Sequence, residues 1–188
     1  MTIVNPFARY SGNTLWAAGI FVTIVGSAIA YAGQARYDGV LDVHFSEVPE
    51  FYRPLLDNML NTGCLTLFLF ATGRYINGKT RLADIVPVVL LSRLPLYMLS
   101  LFGMNATFNA AIQDIRSGDS IAFSPELSGI GLLLLSAVCG MAALIAVVVI
   151  LRYGFAVACR ARTVKHWMLF AGAVLCSELV SKLLFYVL

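Results

Sequence analysis

Arg93 stands in the middle of an apolar stretch, residues 82–104, where a cation has no water to solvate it. An ionised side chain at bilayer depth costs about 3 kcal/mol on insertion scales and is usually found facing a partner or a polar path. Glu178 and Lys182 fall in another such stretch, four residues apart. On a helix they share one face, with the acid in the more favourable N-terminal place. Arg93 lies eleven residues after Leu82, and Glu178 eleven after Trp167. At 1.5 Å per residue both sit about 16 Å into their segments. That equal depth predicts an intramembrane polar cluster of Arg93, Glu178 and Lys182, in which Arg93 pairs with Glu178. Such a pair would either lock two helices or form part of a gate or proton-coupled path.

Asp38, Asp42, His44, Glu47 and Glu50 are gathered in one polar segment, residues 32–54. Carboxylates with one imidazole suit a divalent cation, so Asp38, Asp42 and His44 are candidate metal ligands. Their spacing follows no metal-site motif, and the expectation is a solvated acidic loop with neither metal nor cofactor. Polar and apolar residues alternate over 38–45, which predicts a short extended segment. Tyr37, Phe51 and Tyr52 suit the headgroup level of a bilayer. Two short turns are basic: Arg74, Lys79 and Arg81 in one, Arg160, Arg162 and Lys165 in the other. They predict contacts with anionic headgroups or with a partner. Gly78-Lys79-Thr80 resembles the end of a phosphate loop, but Gly73 is one residue out of register and no strand precedes it, so nucleotide binding is not expected. Asn105-Ala106-Thr107 is a glycosylation sequon, relevant only in a eukaryotic secretory compartment. Cys64, Cys139, Cys159 and Cys176 are not spaced as a ligand pair and read as small apolar fillers.

The elements that must position these residues follow from composition. Of 188 residues, 60% are hydrophobic and 12% charged, and mean hydropathy is +0.84. A soluble domain carries roughly 25% charged residues. The composition therefore points to a polytopic membrane protein and away from a water-soluble enzyme, and a net charge of +3 is too small to suggest a nucleic-acid partner. A 30 Å hydrocarbon core needs about 20 apolar helical residues. Five stretches qualify, at roughly 14–31, 55–74, 82–104, 127–150 and 167–188. The expected fold is all-α, one transmembrane domain over residues 1–188, because lipid leaves helices or closed barrels as the only spanning structures and barrel-type alternation is absent. Arg9 and Ala28-Ile29-Ala30 give the first stretch the outline of a signal peptide, but its length and the four later spans favour retention as a span. Pro87 and Pro95 predict kinks in the third span. Gly131, Ser136 and Gly140 predict close helix approach in the fourth.

Orientation follows from the basic residues. With the N-terminus inside, the inner segments hold Arg9, Arg74, Lys79, Arg81, Arg152, Arg160, Arg162 and Lys165, and the outer ones Arg36, Arg53 and Arg116. Eight against three predicts a cytoplasmic N-terminus and an outside C-terminus.

Asn5-Pro6-Phe7-Ala8-Arg9-Tyr10 before the first span, and Leu82-Ala83-Asp84-Ile85-Val86-Pro87 through Leu94-Pro95-Leu96 in the third, give the chain a resemblance to the Yip domain family (Ypt/Rab-interacting proteins), short bacterial branch. The resemblance covers most of the chain. It implies a five-span bundle of the bacterial inner membrane with no assigned chemistry. Eukaryotic members carry a long cytosolic N-terminal region with an Asp-Leu-Tyr-Gly-Pro-like motif. The dozen or so residues before the first expected span lack that motif, so Rab binding is not implied. The expectation is a non-enzymatic protein of membrane organisation or an interaction scaffold, with the lipid bilayer, a membrane protein or a second copy as partner. The alternative is a small transporter or channel using Arg93 and Glu178.

Overall fold

The computed structural model describes residues 6–46, 48, 50–117 and 127–187. Glu47 of the acidic loop lies outside the described residues. The fold is an all-α bundle in which, among the described residues, five helical segments are long and apolar enough to cross a membrane: Gly12–Ala32, Arg53–Ile76, Leu82–Met104, Gly129–Cys159 and Val164–Val187.

A short helix α1 (Pro6–Arg9) leads into α2 (Gly12–Ala32), whose start is capped by the Ser11 hydroxyl accepting from the Thr14 amide at 3.4 Å. After α2 the chain makes a small antiparallel hairpin, β1 (Ala35–Arg36) with β2 (His44–Phe45), in the register Ala35↔Phe45 and Arg36↔His44. The extended segment expected over 38–45 is thus confined to its last residues. Helix α3 (Arg53–Ile76) opens on Pro54, which suits a first turn because its missing N–H would be unpaired there anyway.

The third segment is broken, as its prolines predict. Helix α4 (Leu82–Ser92) stops at Arg93, α5 (Leu94–Leu99) restarts with Pro95 in its first turn, and a 3-10 turn (Ser100–Met104) follows. Pro87 inside α4 has no N–H to give the Ala83 carbonyl. The Trp16 indole supplies it instead, donating to that oxygen at 3.1 Å and fastening α2 to α4. Helix α6 (Ala106–Ser117), not expected from the sequence, begins where Asn105 accepts from the Phe108 amide at 3.2 Å, so the sequon asparagine is a helix cap.

Helix α7 (Leu127–Cys159) outruns the expected 127–150 because no breaker precedes Arg160. Its 33 residues span about 50 Å at 1.5 Å per residue. Helix α8 (Val164–Val187) closes the bundle. It packs chiefly on α3, while α4 and α5 pack on α7. The core gathers Leu65 and Leu69 of α3, Ile85 and Val89 of α4, Leu96 and Tyr97 of α5, and Leu151 and Phe155 of α7. Close approach does not fall at Gly131 and Gly140. A side chain at Gly131 would meet nothing within 4 Å, and at Gly140 only Leu99 Cδ2 at 3.8 Å. It falls at Gly26 of α2, where the Tyr97 ring occupies the place of a β-carbon, and further along α7 at Gly154, where the Val88 side chain does the same.

Candidate functional site

Residues 37–43, between the two short strands, fold back among the helices, with Tyr37 and Val40 fully buried. The hairpin tip is therefore part of the bundle. Tyr37, placed at headgroup level by its residue type, is corrected to a core position. It meets Tyr97 edge-on at a centroid distance of 5.6 Å, and its hydroxyl bonds Ser100 Oγ at 2.9 Å. The Ser100 hydroxyl is committed to the Leu96 carbonyl, so Tyr37 is the donor. Phe51 and Tyr52 are exposed.

Arg93 is the largest fully buried side chain, with 1% of its surface exposed. The break between α4 and α5 carries it. Its Nε donates to Asn58 Oδ1 and its Nη1 to the Val40 carbonyl, both at 3.1 Å, and its guanidinium lies 5.4 Å from the Tyr37 ring centroid. A cation over an aromatic face is stabilised by the ring quadrupole, more so when desolvated. Asn58 is the hub. Its Oδ1 also accepts from the Tyr97 hydroxyl at 3.3 Å, and its Nδ2 donates to Ser27 Oγ of α2 at 2.9 Å. One turn along α3, Asn61 Nδ2 donates to the Tyr37 carbonyl at 2.7 Å. Within this network two buried atoms have no protein partner, Arg93 Nη2 and Asn61 Oδ1.

The expected Arg93–Glu178 pair does not form. Glu178 Oε2 accepts from the Leu41 amide at 2.8 Å, and its Oε1 lies 3.4 Å from Lys182 Nζ. Two features of the fold keep these residues apart despite their similar depth. Helix α8 starts at Val164, three residues earlier than expected. It also packs on α3 rather than on α4 or α5, so the hairpin tip comes between the two charges. Adjacent tip residues serve them: the Val40 carbonyl takes Arg93, and the Leu41 amide takes Glu178. Lys182 reaches Asp42 Oδ2 at 2.8 Å, and Ser181 Oγ accepts from the Val40 amide at 3.3 Å.

Arg36 of β1 adds a two-pronged bond to Asp57, Nε to Oδ2 at 3.1 Å and Nη2 to Oδ1 at 2.9 Å. The Asp57 hydrogen bond raises the Arg36 pKa above that of a free guanidinium, against a smaller lowering by burial. Burial pushes the Tyr37 phenol well above its ordinary 10.0, so it stays a neutral donor across the neutral range.

Of the candidate metal ligands, Asp42 is on Lys182, while His44 sits exposed in β2 opposite Arg36. Among the described residues no three His, Cys, Asp or Glu side chains are grouped to hold a metal. The basic turns lie together at the opposite end of the bundle. Arg74 Nη1 donates to the Thr80 carbonyl at 3.2 Å, and Lys79, Arg81, Arg160, Arg162 and Lys165 are exposed. Asp57, Asn58 and Asn61 were visible as polar residues in an apolar span. Their spacing at i, i+1 and i+4 on a helix was the available sign of a polar face. Nothing local marked Ser27, Tyr37 or Tyr97.

The site is thus a continuous hydrogen-bonded network that binds a hairpin tip to α2, α3, α5 and α8. No family model matches the chain, no curated protein matches its sequence, and no solved structure matches its fold.

Proposed function

We propose that the chain is a non-enzymatic integral membrane protein of the Yip-like type that acts as an interaction scaffold or in membrane organisation. It resides in a bacterial inner membrane with its N-terminus cytoplasmic and its C-terminus outside. One observation carries the scaffold reading: the ionisable side chains of the spans are used to fix the hairpin. Arg93 holds the Val40 carbonyl, Glu178 the Leu41 amide and Lys182 the Asp42 carboxylate. Groups committed in this way present one rigid surface. The eight-to-three distribution of basic residues supports the orientation. A C-terminal alkaline phosphatase fusion is expected to be active and a fluorescent-protein fusion dark, and the reverse would overturn the sidedness.

The scaffold reading is tested by crosslinking in native membranes. A defined membrane-protein partner or a second copy is expected, captured by the wild type and lost when Asn58→Leu loosens the hairpin. A small transporter or channel is the second reading, favoured by the buried, unpartnered Arg93 Nη2. Ion or solute flux in proteoliposomes that Arg93→Gln abolishes would favour it over the scaffold.

A further inference from the structure

At the end of the bundle that carries both basic turns, a cavity of about 360 Å³ opens among α1, α2, α4 and α7. It brings together residues from turns far apart in sequence. Lys79 comes from the turn after α3, and Arg160 from the turn after α7. Asp84 also lines it, with one carboxylate oxygen engaged by the Arg81 amide at 3.3 Å. Two cations against one committed carboxylate leave this rim positive. The deeper lining is apolar, with Pro87 and Val88 buried, and Val157, one turn before Arg160, adds an apolar wall. Pro87 and Val88 lie five and six residues beyond the start of α4 at Leu82, about 8 Å down the helix axis. The cavity is thus graded from cationic to apolar over the depth that separates a phosphate from the acyl chains of its lipid. Helix α7 ends on Arg160 in the left-handed region, φ 56°. Glycine fills that place at lower backbone cost, and here an arginine occupies it on the cavity rim.

We propose that this cavity binds one anionic glycerophospholipid, with its phosphate at Lys79 and Arg160 and an acyl chain along Pro87, Val88 and Val157. The inference rests on the membrane reading above and deepens it by naming a lipid class. It does not depend on which end faces the cytoplasm.

The test is native mass spectrometry of the full chain in detergent, titrated with phosphatidylglycerol or phosphatidylcholine. The wild type is expected to retain one phosphatidylglycerol in preference to phosphatidylcholine. Lys79→Gln with Arg160→Gln should weaken that binding about thirtyfold, the combined effect of two basic residues near a headgroup. Arg162→Gln with Lys165→Gln removes the same charge from the same end but outside the cavity, and should weaken it about threefold or less. Val157→Trp keeps every charge, crowds the apolar wall and should lower binding of both lipids. Monodisperse elution and unchanged helicity establish that each variant is folded. Equal losses in the two charge variants would reduce the site to general surface attraction and overturn the proposal. So would a Val157→Trp variant that binds like the wild type, or inorganic phosphate that competes as well as the lipid. Absence of a crosslinked partner in the wild type would count against the scaffold reading, and a reversed fusion pattern against the sidedness, and both leave this binding result standing.

Discussion

The hairpin end and helix α7 are held in the bundle by opposite means. At the hairpin end, Asn58 alone touches Ser27, Arg93 and Tyr97 through directional bonds, and the tip backbone is gripped at Val40 and Leu41. Helix α7 offers Val147, Leu151 and Phe155 to the core and turns Leu134, Val138, Met141 and Ile145 outward. In lipid the second kind of contact discriminates little, since acyl chains are as apolar as leucine. The first kind discriminates strongly. A buried group that loses its partner keeps its full desolvation penalty, so the network favours one arrangement and penalises others. Sequence-specific geometry is therefore concentrated at the hairpin end, while α7 supplies length and packing.

Variants can break this contrast, and the largest effect is expected at the hub. Asn58→Leu keeps the volume but leaves Arg93 Nε, the Tyr97 hydroxyl and the Ser27 hydroxyl without that partner. A loss of about 3 kcal/mol is expected, in the range for stranding a buried charge, measured by SDS-titrated unfolding in mixed micelles. A loss below about 1 kcal/mol would mean that the buried groups find other partners.

Asp57→Asn should cost about 2 kcal/mol, as it weakens a part-buried two-pronged pair at 2.9 and 3.1 Å. The pH dependence of the Arg36 contribution has a definite sign. Its folded pKa is raised above that of a free guanidinium, so its stabilisation is fully present below the unfolded value and fades only as pH rises through the still higher folded one. The difference between wild type and Arg36→Gln should therefore not fall between about pH 7 and pH 10, which unfolding at both values checks.

Lys182→Met should cost less than about 1 kcal/mol, because solvent screens an exposed pair. Its side chain is 50% exposed and that of Asp42 45%. Smallest of all is Val138→Ala on α7. Val138 is 67% exposed on the outward face, and a change within about 0.5 kcal/mol is expected. A cost there matching Asn58→Leu would show that α7 is as tightly specified as the hairpin end, and the contrast would fail.

The five-segment, all-helical plan was legible because it depends on composition and length, which act over 20 residues at a time. The break at Arg93 was legible for a similar reason, as proline restricts its own backbone wherever it stands. The network was only half legible. Arg93, Glu178 and Lys182 stand out as charges in apolar segments, but their partners depend on which helices become neighbours. Helix α8 went to α3 and the hairpin tip filled the space beside Arg93, facts set by the packing of the whole bundle. Tyr37 shows the same limit. Its residue type suits an interface, and the fold buries it. Gly131 and Gly140 of α7 were read as contact points, yet the tight approaches lie at Gly26, where Tyr97 meets α2, and at Gly154 of α7, where Val88 of α4 meets it. A glycine shows where an approach is possible, and the bulky partner decides where it happens.

The central claim is that Arg93 is held by Asn58 and the hairpin tip, and not by Glu178. A pair of double-mutant cycles measured by reversible unfolding tests it most directly, Arg93→Leu combined with Asn58→Leu in one and with Glu178→Leu in the other. Direct partners in a membrane protein couple by roughly 0.6 to 1.7 kcal/mol, and groups without a shared contact by less than about 0.5 kcal/mol. The account predicts coupling of at least about 1 kcal/mol between Arg93 and Asn58, and a clearly smaller value between Arg93 and Glu178. Stronger coupling to Glu178 than to Asn58 would contradict it.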